Sequence, residues 1–154
     1  MKVSKKSDYA LRALFSLVEH YGDGPISISE LAKQNDVPKM FLAQIMLDLK
    51  SQRWVRSAPG KHGGYSLARD PEKISMGRVI RHFDNLLSPI HCVSVDQYRR
   101  CSQEPVCRFR RVFLQIRNNT AQLMDRATLA DVFKGKPVRI SEVFDEAFIG
   151  GAGI

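Results

Sequence analysis

ISISELAKQNDVPKMFLAQIMLDLKSQRWV, residues 26–55, is the stretch on which the fold turns. Ser27 with Glu30 makes a capping box: a hydroxyl and a carboxylate that satisfy each other's backbone N–H groups. It opens a short helix through Leu31 and Ala32 that stops near Asn35 and Asp36. A second helix follows almost at once. Pro38 sits at its first turn, and Leu42, Ile45, Met46 and Leu49 recur at helical spacing as a buried stripe. That stripe leaves Lys39, Met40, Ala43 and Gln44 facing outward near the N-terminus. Two helices joined by a tight turn, the second leading with small and polar side chains, is how a helix-turn-helix presents itself to a major groove. An ordinary helical hairpin carries the same pattern, so the flanking sequence has to decide.

Downstream, Trp54 to Ser57 and Tyr65 to Ala68 have strand composition, and APGKHGG between them supplies a tight turn. This reads as a wing with Lys61 and His62 at its tip. Lys61 offers charge to a phosphate backbone that the glycines allow to approach closely; His62 suits a minor groove, a phosphate or an idle solvated loop. Asp70 and Pro71 close the hairpin, and Ser75 caps a helix whose apolar face is Met76, Val79, Ile80 and Phe83. Upstream, Leu11, Leu14, Val18 and Tyr21 mark a helix from Ser7 to Tyr21, ended by Gly22. Asp8 and Arg12 on its polar side form at least an exposed (i, i+4) ion pair. The fold class expected is mainly α: a winged helix-turn-helix domain over residues 1–83, with a long helix beyond it.

The chain has 154 residues, 44% of them hydrophobic, enough for one small domain plus an extension. A formal charge of +8 favours a polyanionic partner, which beside a helix-turn-helix means double-stranded DNA. Met1 to Leu17 has no uninterrupted apolar run, so neither a signal peptide nor a membrane span is expected, and the reading is a cytoplasmic protein with no membrane partner.

Every cysteine lies between His91 and Cys107. Cys92, Cys101 and Cys107 are separated by eight and then five residues. Three thiols cannot all pair within one chain, and reduced thiolates gathered in one loop suit soft metal chemistry. The wide gaps fit an iron-sulfur cluster better than the tight ligand pairs of zinc sites; uncoordinated redox thiols are the other reading. Residues 84–107 are therefore read as a cluster-binding loop starting near Leu86. From about Val106 to Arg126, Phe109, Val112, Phe113, Ile116, Leu123 and Met124 recur at near-heptad spacing along a helix interrupted by Asn118 to Thr120. No later helix in the chain matches its length, so a homodimer is expected across that stripe. Residues 108–134 hold this helix and a short one capped by Thr128 and Asp131, and residues 135–154 form a tail with one amphipathic turn and a glycine-rich end. An enzyme with Cys92 as nucleophile and His91 or His82 as base lacks an oriented base and an oxyanion site, so no enzyme is expected.

SDYALRAL, the helix-turn-helix stretch, the wing GKHGGYSLA, three cysteines, a long helix and TLADVF together resemble the cluster-sensing winged-helix repressors. These include the iron-sulfur assembly regulator, the nitric-oxide-sensitive repressor and the rhizobial iron regulator. The resemblance spans roughly residues 1–145. It implies a dimeric repressor of a two-fold operator, with a [2Fe-2S] or [4Fe-4S] cluster on Cys92, Cys101 and Cys107 answering nitric oxide, redox or iron status. The first cysteine gap is nearer to that of the rhizobial branch. Arg110 stands where the assembly regulator has its histidine ligand, whereas Asp8 matches the aspartate that completes the nitric-oxide branch's site from the partner subunit. His91 is the rival fourth ligand. Ala43 and Pro59 replace a glutamate and an arginine of the assembly regulator, which implies a different operator.

Overall fold

A computed structural model describes residues 2–85 and 87–144. Leu86, the expected start of the cysteine loop, and the glycine-rich end within residues 145–154 lie outside the described residues. Along the chain run α1 (Lys5–Glu19), α2 (Ile28–Gln34), α3 (Lys39–Ser51), β1 (Val55–Ala58), β2 (Gly64–Leu67), α4 (Met76–Asp84), α5 (Arg110–Arg126), α6 (Leu129–Lys134) and α7 (Ile140–Val143). Short 3-10 turns occupy Pro71–Lys73 and His91–Val93.

The hydroxyl caps form as the sequence predicts: that of Ser27 accepts from the Glu30 N–H, that of Ser75 from Arg78, and that of Thr128 from Asp131. The second half of the expected box does not form, because the Glu30 carboxylate accepts from the Gln34 amide one turn on. One cap was not read. Ser4 accepts from the Ser7 N–H, which starts α1 two residues before the expected Ser7 and leaves Tyr21 beyond its end, 53% exposed instead of on the apolar stripe. Between α2 and α3, Asp36 takes a left-handed φ of 52°, a conformation a short polar side chain tolerates, and turns the chain sharply.

Leu42, Ile45, Met46 and Leu49 of α3 are fully buried with Leu14, Leu31, Ile74, Val79 and Leu129. This is one continuous core in which α1 packs against α2, α3, α4 and α6. At about 25 cal/mol per Å² of apolar surface removed from water, it is the dominant stabilising term.

The wing pairs Val55 with Leu67 and Ala58 with Gly64, antiparallel, each strand displaced by one residue from its expected bounds. A contact distant in sequence anchors it: Ile26 and Tyr65 exchange both backbone hydrogen bonds, at 2.9 and 2.8 Å. The tight backbone expected of glycines 63 and 64 is required by the protein's own chain: a Cβ on Gly63 would strike the Ala58 carbonyl, and one on Gly64 the Ile26 carbonyl.

Helix α5 also differs from expectation. It begins at Arg110 rather than Val106, because the preceding residues close turns of their own, Glu104 N–H to the Cys101 carbonyl and Val106 N–H to that of Gln103, with Pro105 between. It then runs unbroken through Asn118–Thr120, since polar residues without glycine or proline do not interrupt a helix. No α5 residue is buried; Val112 is 57% and Leu123 72% exposed, while Met124 rests on the core.

Candidate nucleic-acid interface and cysteine loop

Burying one side of α3 dictates what the other offers. Lys39, Met40 and Gln44 are exposed, Met40 to 84%, and Ala43 is half-buried at their base. Pro38 gives α3 no side-chain cap, so its first N–H groups and the positive end of its dipole stay open to an anion such as a phosphate. Tyr9 of α1 braces this turn through an edge-on contact with Phe41 at 5.8 Å. The ion pair Lys6–Asp48, at 2.8 Å, ties α1 to the same helix. On the wing, Lys61 and His62 are exposed beside Gly60, whose φ of 101° makes the tip turn. Sequence reading missed Arg56, which is exposed on β1 and donates to the Ser66 hydroxyl at 3.0 Å.

The cysteine loop is held by polar contacts, mainly from arginines. Arg110 donates from Nε and Nη2 to the Cys92 carbonyl at 3.1 and 2.7 Å, and Arg117 from Nη1 to the Val93 carbonyl at 2.8 Å. Two turns apart on α5, they fasten the turn that carries the first thiol. Glu104 organises the far side. It accepts from the Tyr98 hydroxyl and the Cys101 N–H and lies 3.7 Å from Arg110. The Tyr98 hydrogen bond is the main reason the Glu104 carboxyl sits below its ordinary range, and the same bond raises the Tyr98 phenol. Neither arginine was singled out as an anchor by sequence reading, though Arg110, Leu114 and Arg117 at i, i+4, i+7 mark one helix face.

Cys92 and Cys107, both half-buried, line a single hollow of about 420 Å³ with Arg110, Arg111 and Arg117. Cys101 is exposed on the outer turn and does not line it. Among the described residues, no three His, Cys, Asp or Glu side chains converge closely enough to hold a metal ion. The donor set is nevertheless soft sulfur against a cationic wall, which fits an anionic group larger than one ion and gripped at several points. Asp8 is not in this hollow. It takes both Nε and Nη2 of Arg12, at 3.1 and 2.7 Å, and this pairing raises the Arg12 guanidinium. His91 is exposed, its Nδ1 3.3 Å from the Gln97 carbonyl.

A helix-turn-helix with an open leading turn, a basic wing tip and a net positive chain define a DNA-binding winged-helix regulator. The chain belongs to the Rrf2 family, described as iron-dependent transcriptional regulators, whose pattern residues 3–135 match. It is 36% identical over 136 residues to an rrf2-like HTH-type transcriptional regulator of Rhodobacter capsulatus, covering 84% of this chain and 91% of that one. To the HTH-type transcriptional regulator CymR of Bacillus subtilis it is 30% identical, covering 86% and 89%. The solved structure of that CymR, the global cysteine regulator of B. subtilis, superposes with a TM-score of 0.76 over 89% of this chain and 99% of that one at 28% identity. Relatives also include NsrR of Bacillus licheniformis, 26% identical over 86% of this chain and 92% of that one, and IscR of Sodalis glossinidius, 24% identical over 90% and 82%. The protein is thus a helix-turn-helix transcriptional regulator and not an enzyme. Among the described residues no helix is long and apolar enough to cross a membrane.

Proposed function

We propose that this regulator is a cluster-dependent repressor that binds a two-fold operator as a homodimer and answers nitric oxide, redox or iron status. The observation that carries the reading is the convergence of Cys92 and Cys107 on one arginine-lined hollow fastened to α5. In this reading Cys92, Cys101 and Cys107 hold a [4Fe-4S] or [2Fe-2S] cluster, and Asp8 of the partner subunit completes its ligands. The chemistry the cluster would supply is electron exchange and reactivity toward nitric oxide or oxygen. A carboxylate is a harder and weaker ligand for iron than a thiolate, which would leave one iron open to displacement. Asp8 has to leave Arg12 to serve, so loading the site would rearrange α1 close to α3, and cluster state would bias the spacing of the two reading heads.

At the DNA, Lys39, Met40, Ala43 and Gln44 would face the major groove, with Lys61 and His62 on the flanking backbone. Lys61→Ala should weaken specific and random DNA alike and lower the salt slope by about one unit, whereas Gln44→Ala should change sequence preference.

The exposure of Cys101, and the relation to a regulator named for cysteine, favour a second reading in which the thiols sense oxidants without a cluster. Anaerobic purification with iron and sulfide analysis separates the two. Iron and sulfide bound in the parent and lost in each cysteine variant, with operator affinity that follows loading, supports the cluster; an iron-free parent whose DNA affinity answers peroxide reversibly replaces it with thiol sensing. Iron content and cluster lifetime under air or nitric oxide should change in Asp8→Ala and not in His91→Ala; the reverse result would move the fourth ligand to His91.

A further inference from the structure

Beside the C-terminal end of α3, three cationic side chains and a histidine meet over an open hollow of about 410 Å³ lined by Gln52, Trp54, Arg69, Arg78, Arg81 and His82. They arrive from separate elements: Gln52 ends α3, Trp54 and Arg69 flank the base of the wing, and the rest stand on α4. No carboxylate lines the hollow. Arg69 and Arg78 are exposed and have no side-chain hydrogen bond or ion pair among the described residues, although Arg78 also borders a neighbouring hollow that contains Glu72 and Asp125. Arg81 is paired with Asp125 of α5. Trp54, 5% exposed, meets the exposed His82 ring edge-on at 5.7 Å.

Like charges crowded at one place repel unless a counter-charge joins them, and guanidinium forks match the oxygens of phosphate in pairs. DNA bound by α3 and the wing tip is poorly placed to supply those oxygens. A helix of 13 residues puts Gln52 about 20 Å from Lys39, and the four-residue strands put Trp54 and Arg69 about 13 Å from the wing tip. We propose that this hollow is a binding site for a small, multiply charged oxyanion of the phosphate class, distinct from the DNA surface and from the cysteine loop. An oxyanion there competes with Asp125 for Arg81, which is the ion pair joining α4 to α5, and gathers the wing base and the end of α3 onto the same ligand. Occupancy thereby adjusts how the winged helix sits on the long helix.

The probes are sodium phosphate and pyrophosphate, titrated against sodium chloride of matched ionic strength, with heat and the fluorescence of Trp54, the chain's single tryptophan, as readouts. Saturable binding is expected for the oxyanions and not for chloride. Arg69→Gln and Arg78→Gln, both at exposed positions that the core does not need, should each weaken it about tenfold, and Lys33→Gln on the exposed face of α2 should not. A response that never saturates, one that chloride reproduces, or one that Lys33→Gln diminishes equally would overturn the site. So would loss of DNA affinity and salt slope in the two arginine variants without any pyrophosphate binding, which would make the hollow a contact for the DNA backbone. Neither result bears on the cluster, so this site and the reading of the cysteine loop stand or fall separately.

Discussion

The winged helix and the cysteine loop with α5 are built by different forces. In the first, side chains from α1, α3, α4 and α6 are withdrawn completely from water, and the N-termini of α1, α2, α4 and α6, though not of α3, are closed by serine and threonine caps. In the second, no α5 residue is buried, and the loop hangs from arginine side chains bonded to two carbonyls and from Glu104. Apolar burial makes the DNA-reading part self-sufficient. Directional polar contacts and an uncovered apolar stripe leave the cysteine loop and α5 dependent on whatever completes them.

The sharpest way to break that contrast is to cut each region at its apolar face. Leu42→Ala, in the fully buried stripe of α3, should cost about 2–5 kcal/mol and lower the thermal midpoint markedly. Leu123→Ala should cost the single chain less than about 0.5 kcal/mol, because Leu123 is 72% exposed there. Leu123→Asp or Ile116→Asp should instead act on assembly, since an unpaired charge in an apolar seam is strongly unfavourable. Sedimentation should show monomers and DNA affinity should fall with the dimer. An unchanged dimer, or a monomeric parent, would mean that the stripe is covered by something other than a second copy.

A smaller effect lies where the two readings of the glycines part. Gly64→Ala places a methyl group against the Ile26 carbonyl and should destabilise the domain by about 1–3 kcal/mol in the absence of DNA. If thermal unfolding is unchanged and only DNA affinity drops, the glycine serves the phosphate backbone after all.

What the sequence disclosed follows the same division. Ser27, Ser75 and Thr128 act on neighbours three residues away, so their caps could be read locally, and the stripe Leu42, Ile45, Met46 and Leu49 needs only helical periodicity. The bridges Ile26–Tyr65 and Ser75–Thr128 join positions tens of residues apart and leave no local trace. Arg110 and Arg117 were hidden for another reason: on a helix surface an arginine bonded to a carbonyl has the same spacing as a solvated one. The three cysteines were legible as a set, but their placement was not, because two enter the hollow and the third stays outside.

Arg110 therefore offers a test confined to the cysteine loop. Arg110→Gln should release the Cys92 carbonyl, raise the alkylation rate of Cys92 in the iron-free protein by roughly tenfold, and leave the winged helix within about 0.5 kcal/mol of the parent. An unchanged alkylation rate would show that Arg117 and Glu104 suffice to hold the loop.

A modest, pH-dependent effect is expected at the seam between α1 and α4, where the Asp84 carboxylate accepts from the Ser4 N–H at 2.9 Å. Burial opposes the ionisation of Asp84, but the polar groups of Ser4 and Ser7 around it together outweigh that penalty and hold it below its ordinary value. A carboxyl whose folded value is depressed binds its proton more readily in the unfolded chain. Its contribution is therefore complete above the unfolded value of about 3.9 and fades as the pH falls through the folded one. Asp84→Asn keeps the shape and removes the charge, so it should cost about 1 kcal/mol near pH 7, the order expected of a partly exposed hydrogen bond to a charged group. The difference from the parent should shrink steadily below about pH 4. Denaturant unfolding at pH 7 and at successive acid pH values measures both; a gap between the two proteins that stays constant into acid would show that Asp84 holds α1 by shape and not by charge.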